Sequence, residues 1–136
     1  MPRARPAASI NFSSLNLNNT GGTLSDSADR LSDAAPITLN GGVLTFFGRA
    51  NALSAERVGA VTLNSGLSFL SSAEQSNASF LSSATLTLSG LTRSSGSGAT
   101  VMFTQNYQNN SAGALGVKTG SAFKAVIIDS INGVAT

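Results

Sequence analysis

The stretch Ile37-Thr38-Leu39-Asn40-Gly41-Gly42-Val43-Leu44-Thr45-Phe46 comes back as Val61-Thr62-Leu63-Asn64-Ser65-Gly66-Leu67-Ser68-Phe69-Leu70, with Val61 standing where Ile37 stood. A looser third copy, Leu86-Thr87-Leu88-Ser89-Gly90-Leu91, follows at nearly the same interval, Leu86 standing where Val61 stood. Each copy alternates apolar residues with polar ones, mostly Thr, breaks at a polar or glycine turn, and then resumes as a second β-rich run. Alternation with period two marks a half-buried strand, because successive side chains point to opposite faces. Short strands recurring at a fixed period are the sequence pattern of a stacked repeat. This constrains the fold more than any other feature.

The repeat predicts an all-β parallel β-helix, or β-solenoid, of about 24 residues per repeat, a period in the range of stacked repeats. Each repeat would add one strand to each of two or three sheets, roughly 4.8 Å above the last. Asn40 and Asn64 then lie one above the other at a shared corner with Ser89 next, and the repeat turns comprise Asn40, Gly41, Gly42, Asn64, Ser65, Gly66, Ser89 and Gly90. Stacked amides can hydrogen-bond along such a ladder. The apolar parity after the turn differs by one position between the first two copies, which implies a bulge or a different turn type at one of them. An antiparallel sandwich is the alternative architecture, since short strands with frequent turns suit it too.

The remaining segments are read from the same signals. Ile10/Phe12 and Leu15/Leu17 show strand alternation, Asn19-Thr20-Gly21-Gly22 has turn chemistry, and Thr23-Leu24 begins a further strand. Residues 25–36, the most charged stretch, read as a corner loop with one helical turn, closed by Pro36 ahead of the strand at Ile37. Gly48–Gly59 and Ser71–Asn77 read as loops leading into the strands that follow, the second into Ala78–Leu81. Residues 92–98 form a loop and Ala99–Phe103 a strand. Gln105–Asn110 is a polar loop, and residues 120–128 are the last strand, whose end Val126-Ile127-Ile128 is continuous, as for a strand covered on both sides. Residues 1–8 read as a frayed start or the edge of a fragment. That leaves 9–136 as one β-solenoid domain, a segment of a longer repeat protein.

Composition narrows the chemistry. The chain of 136 residues contains no Cys and no His, so thiol catalysis, His-based triads and Cys/His metal sites are excluded. Charged residues make up 10%, against roughly 25% in ordinary soluble domains. The pI of 9.7 rests on a net charge of +2, without a Lys/Arg cluster interleaved with aromatics, so no nucleic-acid partner is expected. No run of 18 apolar residues occurs, so the segment is not expected to insert in a membrane as a helix.

Asp29-Arg30-Leu31-Ser32-Asp33-Ala34-Ala35-Pro36-Ile37-Thr38-Leu39-Asn40-Gly41-Gly42 resembles the recurrent unit of the autotransporter-associated β-strand repeat proteins. Glu56-Arg57-Val58-Gly59-Ala60-Val61-Thr62-Leu63 and Leu91-Thr92-Arg93 are similar to its following segments, and residues 117–136 resemble the segment closing such a unit. The resemblance implies a right-handed β-helical passenger of a large exported or outer-membrane-associated surface protein of a Gram-negative bacterium. It implies a structural or adhesive role and brings no catalytic motif with it.

Acidic residues are the remaining candidates for chemistry. Asp26, Asp29 and Asp33 could offer oxygen ligands to Ca²⁺, but their spacing fits neither the EF-hand nor the glycine-rich nonapeptide pattern. Glu56 and Glu74, in the loops entering successive repeats, could serve a glycan-cleaving enzyme that needs two carboxylates across a cleft. Solvated corner charges are the simpler account of the three aspartates. Phe46, Phe47, Phe69, Phe80, Phe103 and Phe123 read as core, and Tyr107 is the one tyrosine available as a sugar platform. The reading is thus a non-enzymatic structural or adhesive segment, without catalytic, cofactor or metal residues. Its expected partners are surface glycans, other cell-surface proteins, or a second copy stacked end to end. The alternatives are a carbohydrate-active β-helix and a trimeric fibre segment.

Overall fold

A computed structural model of the chain describes residues 7–20, 26–50, 52–74, 83–105 and 123–136. These contain no helix. Their strands are β1 (Ala8–Asn11), β2 (Ser14–Asn18), β3 (Ile37–Asn40), β4 (Val43–Gly48), β5 (Leu53–Ser65), β6 (Leu67–Glu74), β7 (Ser83–Arg93), β8 (Thr100–Gln105), β9 (Phe123–Ile128), β10 (Ser130–Ile131) and β11 (Val134–Ala135). The expected strand at Thr23-Leu24, the strand Ala78–Leu81 and the polar loop after Gln105 lie outside the described residues.

Two sheets result. The first holds seven strands in the order β1-β3-β5-β7-β10-β11, with β9 also paired to β7; the second holds four, in the order β2-β4-β6-β8. All pairings among the described residues are parallel except β10 with β11. Alternation decides which side chains face inward. Ile37 and Leu39 of β3, Val61 and Leu63 of β5, and Leu86 and Leu88 of β7 are buried against Leu44 and Phe46 of β4 and Leu70 of β6. Thr38 and Asn40, which alternate with Ile37 and Leu39 along β3, face outward. Burial of a Leu- or Phe-sized side chain contributes about 1.5–3 kcal/mol, so this seam between the sheets is the main source of stability. A buried hydrogen bond crosses it: the Ser72 hydroxyl of β6 donates to the Ala84 carbonyl of β7 at 2.7 Å.

The expected right-handed parallel β-helix, with its uniform repeat, is overturned. One sheet is mixed rather than parallel, strand lengths run from 2 to 13 residues, and the sequence step between paired strands is not constant. Ile37 pairs back to Ala8 and forward to Val61, Val61 pairs with Leu91, and Ser83 pairs with Phe123. The step is shortest from β3 to β5 and longest from β7 to β9, and no two of the four are equal. No uniform repeat can stack on such steps. The antiparallel sandwich fails as well, since parallel pairing dominates.

Two causes of the irregularity are visible. The β3–β5 register slips at the corner: Leu39 faces Leu63 but Asn40 faces Ser65. The bulge implied by the parity mismatch therefore sits at Asn64, in the second copy. Past the turn the step has lengthened again, with Val43 facing Phe69, so Leu70 rather than Phe69 points into the core. The second cause is β5 itself, whose 13 residues turn most of the expected Gly48–Gly59 loop into strand. That early half, Leu53–Val58, pairs with Ser83–Leu88 and fixes the β5–β7 register. β6 likewise extends to Glu74, through part of the expected loop Ser71–Asn77.

The segment 26–36 contains a turn but no helical turn, closed by Ala35 N–H donating to Ser32 O at 2.9 Å. It crosses β5 at Gly59, where an added Cβ would come within 2.2 Å of the Ala35 carbonyl oxygen. At the other end β10 and β11 form a hairpin through Asn132 (φ 48°) and Gly133 (φ 82°), the left-handed pair that a two-residue type I′ turn requires. The run Val126-Ile127-Ile128 is not covered on both sides: Ile127 is 46% exposed and its neighbours are half-buried.

Candidate functional site

Two polar constellations stand out, and both follow from where the strands turn. At the corner between the sheets, β1 ends in Asn11, β3 in Asn40 and β5 in Asn64-Ser65, and Ser94 follows β7. The Asn40 amide donates to Asn11 Oδ1 at 2.6 Å, the Asn64 amide donates to Asn40 Oδ1 at 2.7 Å, and the Ser94 hydroxyl donates to Asn64 Oδ1 at 3.2 Å. Ser65 adds a bond to Asn40 Oδ1 at 3.2 Å. Parallel strands about 4.8 Å apart place equivalent side chains within reach of one another, and all these bonds run in one direction. Each amide has two donor hydrogens and two acceptor lone pairs, so the ladder fixes side-chain orientation and leaves hydrogen-bonding capacity facing solvent.

The residues expected at this corner are partly there. Asn40, Asn64 and Ser65 belong to the ladder. Gly41 (φ 72°) and Gly66 (φ 66°) supply the left-handed turn and lie against each other, a Cβ on Gly66 falling 3.3 Å from the Gly41 Cα. Gly42 is buried under Ile10 and its carbonyl accepts from Phe69 N–H at 2.9 Å. Ser89 and Gly90 are elsewhere. They lie within β7, where the Ser89 carbonyl accepts from Ser130 Oγ at 3.3 Å and Gly90 pairs with Ala60. Ser94 takes the ladder position that Ser89 was expected to fill, because Val61 faces Leu91 and not Leu86.

Phe12 is a corner residue that alternation concealed. Following Ile10 by two, it reads as the next inward side chain; in the structure the chain has turned, Phe12 has φ 46° and is 83% exposed. Its ring edge lies over Gly41, with Cε1 2.9 Å from where a Cβ would stand. The left-handed region costs an L-residue about 1–2 kcal/mol, and Gly41 and Gly66 hold the same conformation on the next strands without that cost.

The second constellation lies on the early half of β5. Glu56 alternates with Ser54 and Val58, so it points inward and is 1% exposed. Its carboxylate accepts from the Arg30 N–H at 3.0 and 3.1 Å and from the Leu31 N–H at 2.9 Å. Burial pushes its pKa above the ordinary 4.5, the two main-chain donors pull it back down, and Asp29 and Asp33 nearby raise it further. Beside it, the buried Asn19 amide donates to Asp26 Oδ1 at 2.6 Å and to the Ser27 carbonyl at 2.9 Å, and accepts from Arg30 Nε. Ser54 Oγ donates to Asp26 at 2.9 and 3.0 Å while accepting from Arg49 N–H at 2.8 Å.

Chemically this cluster is a clamp that fastens the 26–36 segment to β5. The candidate cation ligands Asp26, Asp29 and Asp33 do not converge, and the described residues hold no group of three acids that could grip a metal ion. Glu56 is engaged by main-chain donors. The side chains of Glu74, Tyr107, Phe80 and Phe123 lie outside the described ones. Phe46 is core as expected, Phe47 and Phe69 are half-buried, and Phe103 is exposed. In comparison with known proteins, the chain matches no family model, no curated protein and no solved structure.

Proposed function

We propose that this chain is a non-enzymatic structural segment that presents an adhesive surface on an exported or cell-surface protein of the autotransporter kind. The observation that carries the reading is the continuous amide ladder Asn11–Asn40–Asn64–Ser94. It ties four strands together from outside and leaves a neutral, ordered row of hydrogen-bonding groups on the surface. The buried acid Glu56 supports the same reading, since both of its oxygens bind main-chain amides and serve cohesion. The resemblance of residues 29–42 to the autotransporter-associated repeat unit supports the cellular setting: a passenger held outside a Gram-negative outer membrane.

Surface labelling of intact cells tests this. A tag inserted after Ser95, in the turn between β7 and β8, is expected to be reached by antibody and by added protease without lysis. A tag that becomes accessible only after lysis would overturn the reading.

A further inference from the structure

We infer that the Phe12 corner, together with the amides of Asn11, Asn40 and Asn64 beside it, is a binding site for a neutral polysaccharide. The inference rests on the adhesive reading above and adds the ligand class.

Three observations converge. First, Phe12 stands in a backbone conformation that its own side chain disfavours, φ 46°, at a turn where Gly41 and Gly66 occupy the equivalent places on the following strands. Strain kept at an exposed residue points to a role other than packing. Second, the ring that the strain delivers is 83% exposed, and it rests on Gly41, which has no side chain to cover it. With only its edge against Gly41, most of the ring is open to solvent. Third, the amides adjoining it are oriented in advance by their own ladder, at 2.6 and 2.7 Å, so binding would not have to order them.

An aromatic face beside amides that donate and accept is suited to a pyranose ring. The sugar's C–H face packs on the π-surface, and its adjacent hydroxyls exchange hydrogen bonds with Asn donors and acceptors. Charge selects the neutral class. Among the described residues 9–13, 38–42, 62–67 and 92–98 that build this corner, Arg93 alone is charged, and it donates its main-chain N–H to Asn132 on the far side of the ladder. Leu67, 44% exposed beside Gly66, extends the apolar strip along which a chain of sugar rings would run.

The test uses the whole chain in affinity electrophoresis through gels containing hydroxyethylcellulose, xyloglucan or dextran, with alginate as the charged comparison. At least one neutral polymer should retard the wild type and alginate should not. Phe12→Gly removes the ring and suits the backbone, so it should weaken retardation at least tenfold while leaving the melting temperature unchanged or raised. Phe12→Asn, which also tolerates the left-handed region, should do the same, and Phe12→Tyr should retain binding. Absence of retardation by all three neutral polymers would overturn the inference, as would Phe12→Gly binding undiminished or stronger binding to alginate. A fall in melting temperature on Phe12→Gly would assign the ring to packing and overturn it too. Loss of the glycan inference in a chain that is nonetheless exposed on intact cells would leave the structural reading standing.

Discussion

Glu56→Ala should destabilise the protein well beyond the effect of an ordinary strand substitution. The truncation leaves the N–H groups of Arg30 and Leu31, which now donate at 2.9–3.1 Å, without their acceptor. A buried donor left unsatisfied costs about 1–3 kcal/mol. Two such donors, offset by release of a carboxylate from a site where burial opposes its charge, give a net loss of about 2–4 kcal/mol. Glu56→Gln keeps the shape and one acceptor oxygen, so it should cost less. Urea unfolding followed by far-ultraviolet circular dichroism at pH 7 measures both. The pH profile supplies a second reading. Burial raises the folded-state pKa above 4.5, so the folded protein holds the Glu56 proton more tightly than the unfolded chain does. Its contribution is therefore most favourable below pH 4.5 and is lost as pH rises through the folded pKa. The stability of the wild type relative to Glu56→Gln should fall across that window. A Glu56→Ala protein within about 0.5 kcal/mol of wild type, the range of surface substitutions, would refute the clamp; a stability difference between wild type and Glu56→Gln that rises with pH would instead show that the two main-chain donors outweigh burial at this carboxylate.

Three further outcomes follow from the packing. Gly59→Ala pushes a methyl group to 2.2 Å from the Ala35 carbonyl oxygen, and should cost about 1–3 kcal/mol by overpacking with raised proteolysis of the 26–36 segment; an unchanged denaturation midpoint would contradict the crossing. Asn40→Ala removes the centre of the ladder, with its bonds to Asn11, Asn64 and Ser65, and should cost about 1–2 kcal/mol at roughly 1 kcal/mol per exchanged bond, whereas Ser89→Ala, off the ladder, should be close to neutral in the same unfolding assay. The outer edge of β9 has no strand partner among the described residues and carries Ile127, 46% exposed. Such edges recruit other strands, so sedimentation across a concentration series should show self-association that Ile127→Lys suppresses, and a monomer at all concentrations would contradict this.

Much of the architecture was legible because alternation survives wherever inward positions are apolar. Ile37/Leu39, Val61/Leu63 and Leu86/Leu88 mark β3, the late half of β5 and β7, and the Asn40–Asn64 neighbourhood follows from their spacing. The early half of β5 was hidden because its inward positions are Ser54 and Glu56; a polar clamp erases the apolar rhythm that identifies a strand. The β5–β7 register is ambiguous in the sequence for a related reason. Leu86, Leu88 and Leu91 all suit an inward position opposite Val61, and apolar pattern alone does not choose among them. The choice is made by the pairing of Leu53–Val58 with Ser83–Leu88, in the stretch that read as loop. Phe12 is concealed because local alternation assigns it inward, whereas the corner after Asn11 rotates it out. A left-handed Phe carries no sequence signal of its own.

The register of β5 against β7 underlies both the ladder and the corner, and cysteine cross-linking tests it directly, since the natural chain has no cysteine. Thr62 faces Thr92 across the strand pair, about 4.8 Å apart and within the span a disulfide bridges. The alignment suggested by the sequence repeat would instead place Thr62 opposite Thr87, which lies about 16 Å further along β7. Under mild oxidation, the double variant Thr62→Cys/Thr92→Cys should form an internal disulfide in the folded protein, seen as a mass loss of two hydrogens. Thr62→Cys/Thr87→Cys should remain reduced. Efficient closure of the second pair and not the first would contradict the account.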